Sequence, residues 1–283
     1  MADVPTFTLS DGSTLPAIGF GTYPLRGEEG VTAIVSALRT GYRLLDTAVN
    51  YGNEEEVGEA LRRFMGRAGI SREEVAVASK LPGRHHGYDE AIASTKESLQ
   101  RLGLDHLDLH LIHWPNPSRD KYAEAWRALV DLQKQGLVRS IGVSNFTAAY
   151  LDRISADTGV APVVNQIELH PYFPQVEMRA VNAERGILTE SWSPMGKRRA
   201  PYAEPAVRDA AEAHGVTPGQ VILRWQHQLG ALPIPKSATP SRQAENLDVF
   251  GFELTDDEVA AITALGRPDG RLFGGDPETH EEM

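Results

Sequence analysis

The segment Leu107–His113, with the sequence LDLHLIH, is a short, largely apolar run that ends in a polar side chain. Seven other short apolar runs occur along the chain, and successive runs start about 30 residues apart on average, the length of one βαβ unit. Longer segments separate them, in which apolar residues recur three and four positions apart, as in a helix with one buried face. The eight predicted strands are Ala17–Gly21, Arg43–Asp46, Val75–Lys80, Leu107–His113, Ser140–Ser144, Val163–Glu168, Ile187–Trp192 and Ala231–Ile234.

Signals for the starts of helices support this division. Ser71–Glu74, Thr217–Gln220 and Thr255–Glu258 each match a capping box, in which a hydroxyl and an acid or amide satisfy free N–H groups at a helix N-terminus. Strands that alternate with helices predict a parallel sheet. Eight such strands predict an α/β fold of the (β/α)8 TIM-barrel class.

Two further elements are predicted outside the eight repeats. Phe7–Leu15 is expected to form a β-hairpin that turns at Asp11-Gly12 and covers the barrel floor. Thr255–Leu265 is expected to form one extra helix, followed by a loop-like tail. We therefore expect one barrel domain over residues 1–283, with the hairpin in 1–15 and the extra helix and tail in 255–283.

The composition narrows the class of protein. Of the 283 residues, 41% are hydrophobic and 24% charged, as in an ordinary soluble globular protein. The net charge of −11 argues against nucleic acid or an anionic membrane as the main partner, and the absence of cysteine excludes disulfides and a thiol nucleophile. Met1–Pro5 shows no secretory signal and no apolar run is long enough to span a membrane, so a cytoplasmic protein is expected. No long apolar stripe is left exposed, which favours a monomer.

Polar residues end three neighbouring predicted strands, namely Asp46, Lys80 and His113. In barrels of this class the active site lies at the C-terminal ends of the strands, and Tyr51 follows shortly after Asp46. A carboxylate keeps a buried lysine charged, and that cation is expected to lower the pKa of a nearby tyrosine from its usual value of about 10. The four side chains predict a site that exchanges a proton with a carbonyl or an alcohol. The electrons must then come from a cofactor.

Three ordered motifs resemble the signatures of the aldo-keto reductases. They are Gly41–Gly58, Ile141–Phe146, and Ile234–Ser237 together with Arg242, Glu245 and Asn246. The resemblance runs from about Phe7 to the C-terminal tail. It is strongest toward the bacterial branch that is similar to the 2,5-diketo-D-gluconate reductases.

The resemblance implies an NADP-dependent oxidoreductase that reduces aldehydes or ketones, with Asp46, Tyr51, Lys80 and His113 as the catalytic tetrad. It implies that Tyr51 is the general acid and that His113 orients the carbonyl. It also implies that NADPH binds across the barrel mouth, with Lys197–Arg199 near the pyrophosphate. The matching cofactor positions are Gly21, Thr22, Tyr23, Asp46, Ser144, Asn145, Gln166, Trp192, Ser193, Met195, Gly196, Lys236, Ser237, Arg242, Glu245 and Asn246.

The substrate implied by the resemblance is a small-molecule carbonyl compound. Residues expected to contact it are the C-terminal tail and Tyr23, Asn50, Tyr51, His113 and Trp114. The loop 114–121 and the tail after Leu265 are short, so we expect an open pocket.

Two other functions remain open from the sequence. One is a non-catalytic nicotinamide-binding regulatory subunit, against which the intact tetrad argues. The other is an aldolase that forms a Schiff base at Lys80, which would require a neutral amine.

The remaining histidines carry structural predictions. His110 lies three residues before His113, so on a strand the two side chains face opposite sides. His85-His86 is expected in a solvated loop, and no metal site is predicted.

Overall fold

The computed structural model describes residues 4–282; Met1–Asp3, on which part of the leader-sequence expectation rests, and Met283 lie outside that range. An antiparallel pair is followed by eight strands, each parallel to and paired with the next along the chain. The antiparallel pair is β1 (Thr6–Thr8) and β2 (Thr14–Pro16); the parallel strands are β3 (Phe20–Gly21), β4 (Leu44–Asp46), β5 (Ala76–Leu81), β6 (Leu107–Ile112), β7 (Val138–Ser144), β8 (Val164–Glu168), β9 (Leu188–Trp192) and β10 (Ala231–Pro233).

Helices follow the parallel strands in order. They are α1 (Gly27–Thr40), α2 (Glu54–Ala68), α3 (Tyr88–Leu102), α4 (Tyr122–Lys134), α5 (Ala148–Thr158), α6 (Val176–Glu184), α7 (Pro205–His214), α8 (Pro218–Gln228), α9 (Pro240–Leu247) and α10 (Asp256–Thr263). Strand β9 is followed by two helices, so residues 4–282 contain two extra helices, α7 and α10, where the sequence predicts only the second. The capping box at Ser71 opens a single 3-10 turn, Arg72–Glu74, and not an α-helix.

Backbone hydrogen bonds between the first and last parallel strands close the barrel. The N–H groups of Gly19 and Gly21 donate to the carbonyls of Pro233 and Pro235, each at 3.0 Å. Proline has no N–H to donate in return, so this seam is bonded in one direction only. The predicted TIM-barrel class is confirmed.

The N-terminal hairpin covers one end of the barrel. Leu9 and Leu15 are buried against a cluster of strand residues that includes Leu44, Leu109 and Leu232. Its turn is tied to β7, because the Ser140 hydroxyl donates to the Asp11 carboxylate at 2.7 Å. The hairpin therefore forms the predicted floor.

Alternation along the strands decides which side chains enter the barrel. Leu44 and Ala78 belong to the apolar cluster at the floor, and the next inward positions toward the C-terminal ends are Asp46 and Lys80. The residues between them face the helices, as Leu45 does. Strands β4 and β5 thus carry apolar interior residues near the floor and polar ones near the mouth. Within the described residues, no helix is long and apolar enough to cross a membrane.

Candidate active site

A buried ion pair lies just below the barrel mouth. The Lys80 ammonium donates to both carboxylate oxygens of Asp46, at 2.7 and 2.6 Å, and to the carbonyl of Thr47 at 2.9 Å. Lys80 is completely buried. Burial acts to lower the pKa of Lys80, but Asp46 more than offsets this and holds the pKa above its usual value. The side chain therefore stays an ammonium near neutral pH.

Tyr51 ends a 3-10 turn, Val49–Tyr51, that folds back over the mouth after β4. Its hydroxyl lies 3.4 Å from the Lys80 ammonium, which lies 5.0 Å from the phenol ring centroid. Burial raises the pKa of Tyr51 to about 12, although the charge of Lys80 acts to lower it. The expectation of a pKa below 10 is therefore wrong for the uncomplexed protein, because burial outweighs the cation. The phenol is protonated at neutral pH and can donate.

His113 follows β6 directly and lies beside Tyr51, with ring centroids 5.8 Å apart in an edge-to-face arrangement. Its Nδ1 lies 2.7 Å from a carboxylate oxygen of Glu282. His110 faces the other way, toward α3, where its Nε2 lies 3.1 Å from the Thr95 hydroxyl. The predicted opposite orientation of the two histidines is confirmed.

Four of the predicted cofactor residues, Ser144, Asn145, Gln166 and Trp192, are joined by hydrogen bonds. The Trp192 indole N–H donates to the Asn145 side-chain oxygen at 2.8 Å, and the Asn145 amide donates to the Ser144 hydroxyl at 3.0 Å. Gln166 donates to Asp46 at 2.9 Å. The tetrad and this group therefore form one polar layer across the mouth.

A cavity of about 850 Å³ opens above this layer. Eight predicted site residues lie outside its lining, namely Thr22, Asn50, Lys80, Ser144, Gly196, Ser237, Glu245 and Asn246, and Lys80 is buried beneath it. Predicted residues that line it are Gly21, Tyr23, Asp46, Tyr51, His113, Trp114, Asn145, Gln166, Trp192, Ser193, Met195, Lys236 and Arg242.

A second cavity of about 250 Å³ adjoins the first, and Met195, Tyr202, Lys236 and Arg242 line both. Three other predicted cofactor residues, Ser237, Glu245 and Asn246, also line it. Ser237 precedes α9, whose N-terminus opens here. Two cations and a helix N-terminus suit an anion.

The basic triplet Lys197–Arg199 forms a 3-10 turn beside the larger cavity. Lys197 and Arg198 line the cavity, and the Lys197 ammonium lies 5.9 Å from the Phe273 ring centroid. Arg199 instead faces the tail and pairs with Asp269 at 3.3 Å. Two of the three cations are therefore placed to act on a ligand.

The C-terminal tail, which is expected to contact the substrate, crosses the mouth. Phe273 lines the cavity and lies 5.5 Å from the Trp192 ring, centroid to centroid. The Leu272 N–H donates to the buried carboxylate of Glu168 at 2.8 Å. Glu282 narrows the pocket on this side because it lies against His113, and the overall openness of the pocket stays a prediction.

Two further buried groups depart from the predictions. Glu190, on β9, is fully buried, and burial together with the nearby Asp46 charge raises its pKa to about 8. His86 is also fully buried, so the expected solvated loop is wrong there, and burial lowers its pKa to about 4. The only sequence signal for Glu190 was its place two residues before Trp192, which points it into the barrel.

Comparison with known proteins decides the family. The aldo/keto reductase family model matches residues 17–267. The chain belongs to the aldo/keto reductase family. The family prediction from the three motifs is therefore confirmed.

Individual relatives of this reductase cover nearly the whole chain. The 2,5-diketo-D-gluconic acid reductase B of Corynebacterium is 56% identical over 100% of both chains. Methylglyoxal reductase DkgA of Escherichia coli is 44% identical over 98% of both. A solved structure of a Gox0644 mutant in complex with NADPH shares 44% identity and superimposes with a TM-score of 0.92, covering 99% of each chain.

Proposed function

We propose that this reductase uses NADPH to reduce small aldehydes or ketones to alcohols, with Tyr51 as the general acid. The observation that carries the proposal is the position of the Tyr51 hydroxyl, which lies 3.4 Å from a lysine held by Asp46 on a residue that lines the cavity. A positioned phenol next to a buried cation gives up a proton and keeps the resulting anion stabilised.

The two cavities fit an extended dinucleotide. The larger one has an aromatic, Trp192, at the polar layer, and the smaller one carries Lys236 and Arg242 at the N-terminus of α9. Two cations, the Ser237 hydroxyl and a helix N-terminus match a phosphate dianion. This match, together with the NADPH complex of the structural relative, supports NADPH over NADH.

Each tetrad residue has a separate task in the proposed reaction. NADPH, when bound, supplies the hydride that becomes bonded to the carbonyl carbon. Tyr51 gives its hydroxyl proton to the carbonyl oxygen, and the product is the alcohol. Lys80 stabilises the phenolate left on Tyr51, and Asp46 keeps Lys80 charged. His113 contacts the same carbonyl oxygen and orients it toward Tyr51.

The substrate class follows from the pocket and the relatives. The relatives are named for reducing 2,5-diketo-D-gluconic acid and methylglyoxal, which are small, polar carbonyl compounds. Tyr23 and Trp114 line the same cavity as Tyr51, and the Asn50 amide donates to the Glu282 carboxylate at 2.8 Å. We infer a polar carbonyl substrate of this size, bound between Tyr51 and the tail.

The aldolase alternative is less well supported. A Schiff base needs a neutral amine, whereas the pKa of Lys80 stays above its usual value because Asp46 acts against the lowering effect of burial. The regulatory-subunit alternative, a cytoplasmic location, a monomeric state and a single domain over residues 1–283 stay predictions.

Replacing Tyr51 by Phe tests the proposed chemistry. We expect Tyr51→Phe to lower kcat for methylglyoxal reduction by about a hundredfold or more, because the ring stays and the proton donor is lost. NADPH affinity, measured by tryptophan fluorescence quenching, is expected to stay within about threefold. The matched control is Tyr88→Phe, an exposed tyrosine on α3 that bonds Asp131. Full turnover by Tyr51→Phe would refute the assignment.

A further inference from the structure

The last described residues of the tail are held against the catalytic side of the mouth. The backbone N–H of Ser118 donates to the Glu281 carboxylate at 2.8 Å, and the His280 and Trp114 rings lie 4.2 Å apart, centroid to centroid. The Asn116 side-chain amide donates to the backbone carbonyl of Glu282. These contacts place Glu282 beside His113.

The Glu282 carboxylate contacts the side chains of His113 and Asn50. One oxygen lies 2.7 Å from His113 Nδ1 and accepts from the Asn50 amide at 2.8 Å. The His113 and Glu282 side chains are only 12% and 13% exposed. Burial acts to raise the pKa of Glu282, but the contacts with His113, Asn50 and the Gly83 N–H lower it below its usual value. The group is therefore a carboxylate at neutral pH.

The backbone at Gly83 is shaped to admit this residue. A Cβ at position 83 would lie 2.4 Å from the carbonyl oxygen of Glu282 and 2.2 Å from the Asn116 amide nitrogen. Real side chains do not approach so closely, so only glycine leaves room for the tail at this point. The Glu282 contact is thus prepared by the turn Gly83–His85 as well as by the tail.

We propose that Glu282 is a positioning residue for His113, a role that rests on the proposed reductase function. The carboxylate lies 2.7 Å from Nδ1, so its negative charge favours a proton on that nitrogen and an imidazole orientation that keeps the two groups together. The other nitrogen, Nε2, is then left to contact the carbonyl oxygen of the substrate. Glu282, a tail residue far from β6 in sequence, thereby orients His113, and His113 in turn orients the substrate.

Kinetics and the state of His113 test this together. We expect Glu282→Leu to lower kcat/KM for methylglyoxal by about tenfold or more, because His113 loses the carboxylate that orients it. NADPH affinity is expected to be unchanged, because Glu282 lies on the substrate side. Glu282→Gln keeps an acceptor oxygen and is expected to retain an intermediate rate. The matched control is Glu278→Leu, an exposed acid of the same tail.

A spectroscopic measurement reports on His113 directly. In the full-length protein with 15N-labelled histidine, assigned with His113→Asn, we expect a protonated Nδ1 for His113 that Glu282→Leu changes and Glu278→Leu does not. Gly83→Ala, which displaces the tail but keeps the carboxylate, is expected to change the same signal. An unchanged His113 signal in Glu282→Leu would overturn the proposal. A rise in kcat/KM would also overturn it, since the tail would then be an obstacle to substrate.

The outcome is separable from that of the proposed function. Tyr51→Phe is measured on the same substrate in parallel, so a failure of the general-acid assignment appears in that variant and not in the Glu282 series. If Tyr51→Phe stops turnover while Glu282→Leu retains full kcat/KM, the reductase function stands and the positioning role falls.

Discussion

Glu190 places a third ionisable group below the Asp46–Lys80 pair. It is fully buried on β9 and lies opposite Gln166 in the register between β9 and β8. Burial and the Asp46 charge raise its pKa to about 8 from an ordinary value of 4.5. Near neutral pH the Glu190 carboxyl is mostly protonated. The polar layer therefore carries one negative charge fewer than its number of acidic residues suggests.

This shift has a defined effect on stability. A carboxyl whose pKa is higher in the folded state binds its proton more tightly there, so its contribution to stability falls as pH rises from about 4.5 to about 8. Glutamine cannot ionise, so Glu190→Gln should gain stability relative to the parent by about 2 kcal/mol between pH 6 and pH 9.

Urea unfolding at the two pH values measures that gain, with Glu278→Gln as an exposed control. A stability difference between Glu190→Gln and the parent that is the same at both pH values would contradict the raised pKa.

At the scale of single residues, the sequence predicts the positions of side chains that depend on in-and-out alternation along a strand and on where the strand ends. Asp46, Lys80 and His113 each follow inward-facing apolar residues on a strand, so their convergence at the mouth could be inferred. Glu282 could not, because its contact with His113 joins the tail to β6 and no local pattern encodes it. The sequence predicted a lowered pKa for Tyr51, whereas the pKa is raised. The prediction failed because the burial of Tyr51 depends on packing that the sequence does not show.

At the scale of elements, helix α2 contains two glycines in contrasting surroundings. A Cβ at Gly58 would lie 2.2 Å from the backbone carbonyl oxygen of Leu102, at the end of α3, whereas at Gly66 nothing lies within 4 Å. Gly58 therefore allows α2 and α3 to pack closely, and Gly66 has no such role.

The two alanine variants should then change stability in opposite directions. Gly58→Ala is expected to lower the free energy of unfolding by about 2 kcal/mol, because backbone must move to admit the methyl group. Gly66→Ala is expected to raise it by about 0.5 kcal/mol through helix propensity. Urea denaturation of both variants gives the comparison. Equal changes in the free energy of unfolding would show that α3 moves aside without loss of stability.

Strands and helices could be predicted from the sequence where the local pattern of apolar and polar residues was clear. All eight strands were found because each is a short apolar run with a regular spacing. Helix α7 was missed, although Val207, Ala210 and Ala211 form its buried face and Pro205 and Gly215 mark its ends. Its short apolar face lies in a segment that otherwise resembles the loop after β9.

At the scale of the whole molecule, three long-range features complete the site. The β3–β10 seam closes the barrel, the hairpin fills its floor, and the tail covers part of its mouth. Barrel closure followed from counting strands, and the hairpin from its turn. The path of the tail follows from contacts such as Leu272 with Glu168, which appear only in the folded chain.

Isotope transfer tests the central claim most directly. The parent protein is incubated with methylglyoxal and NADPH that carries deuterium at both positions of nicotinamide carbon 4, and the alcohol is analysed by mass spectrometry. We predict an alcohol heavier by about one mass unit per turnover, because the hydride moves to the carbonyl carbon, and almost no product with Tyr51→Phe. An alcohol without deuterium, or no alcohol from the parent protein across a panel of small carbonyl compounds, would contradict the account.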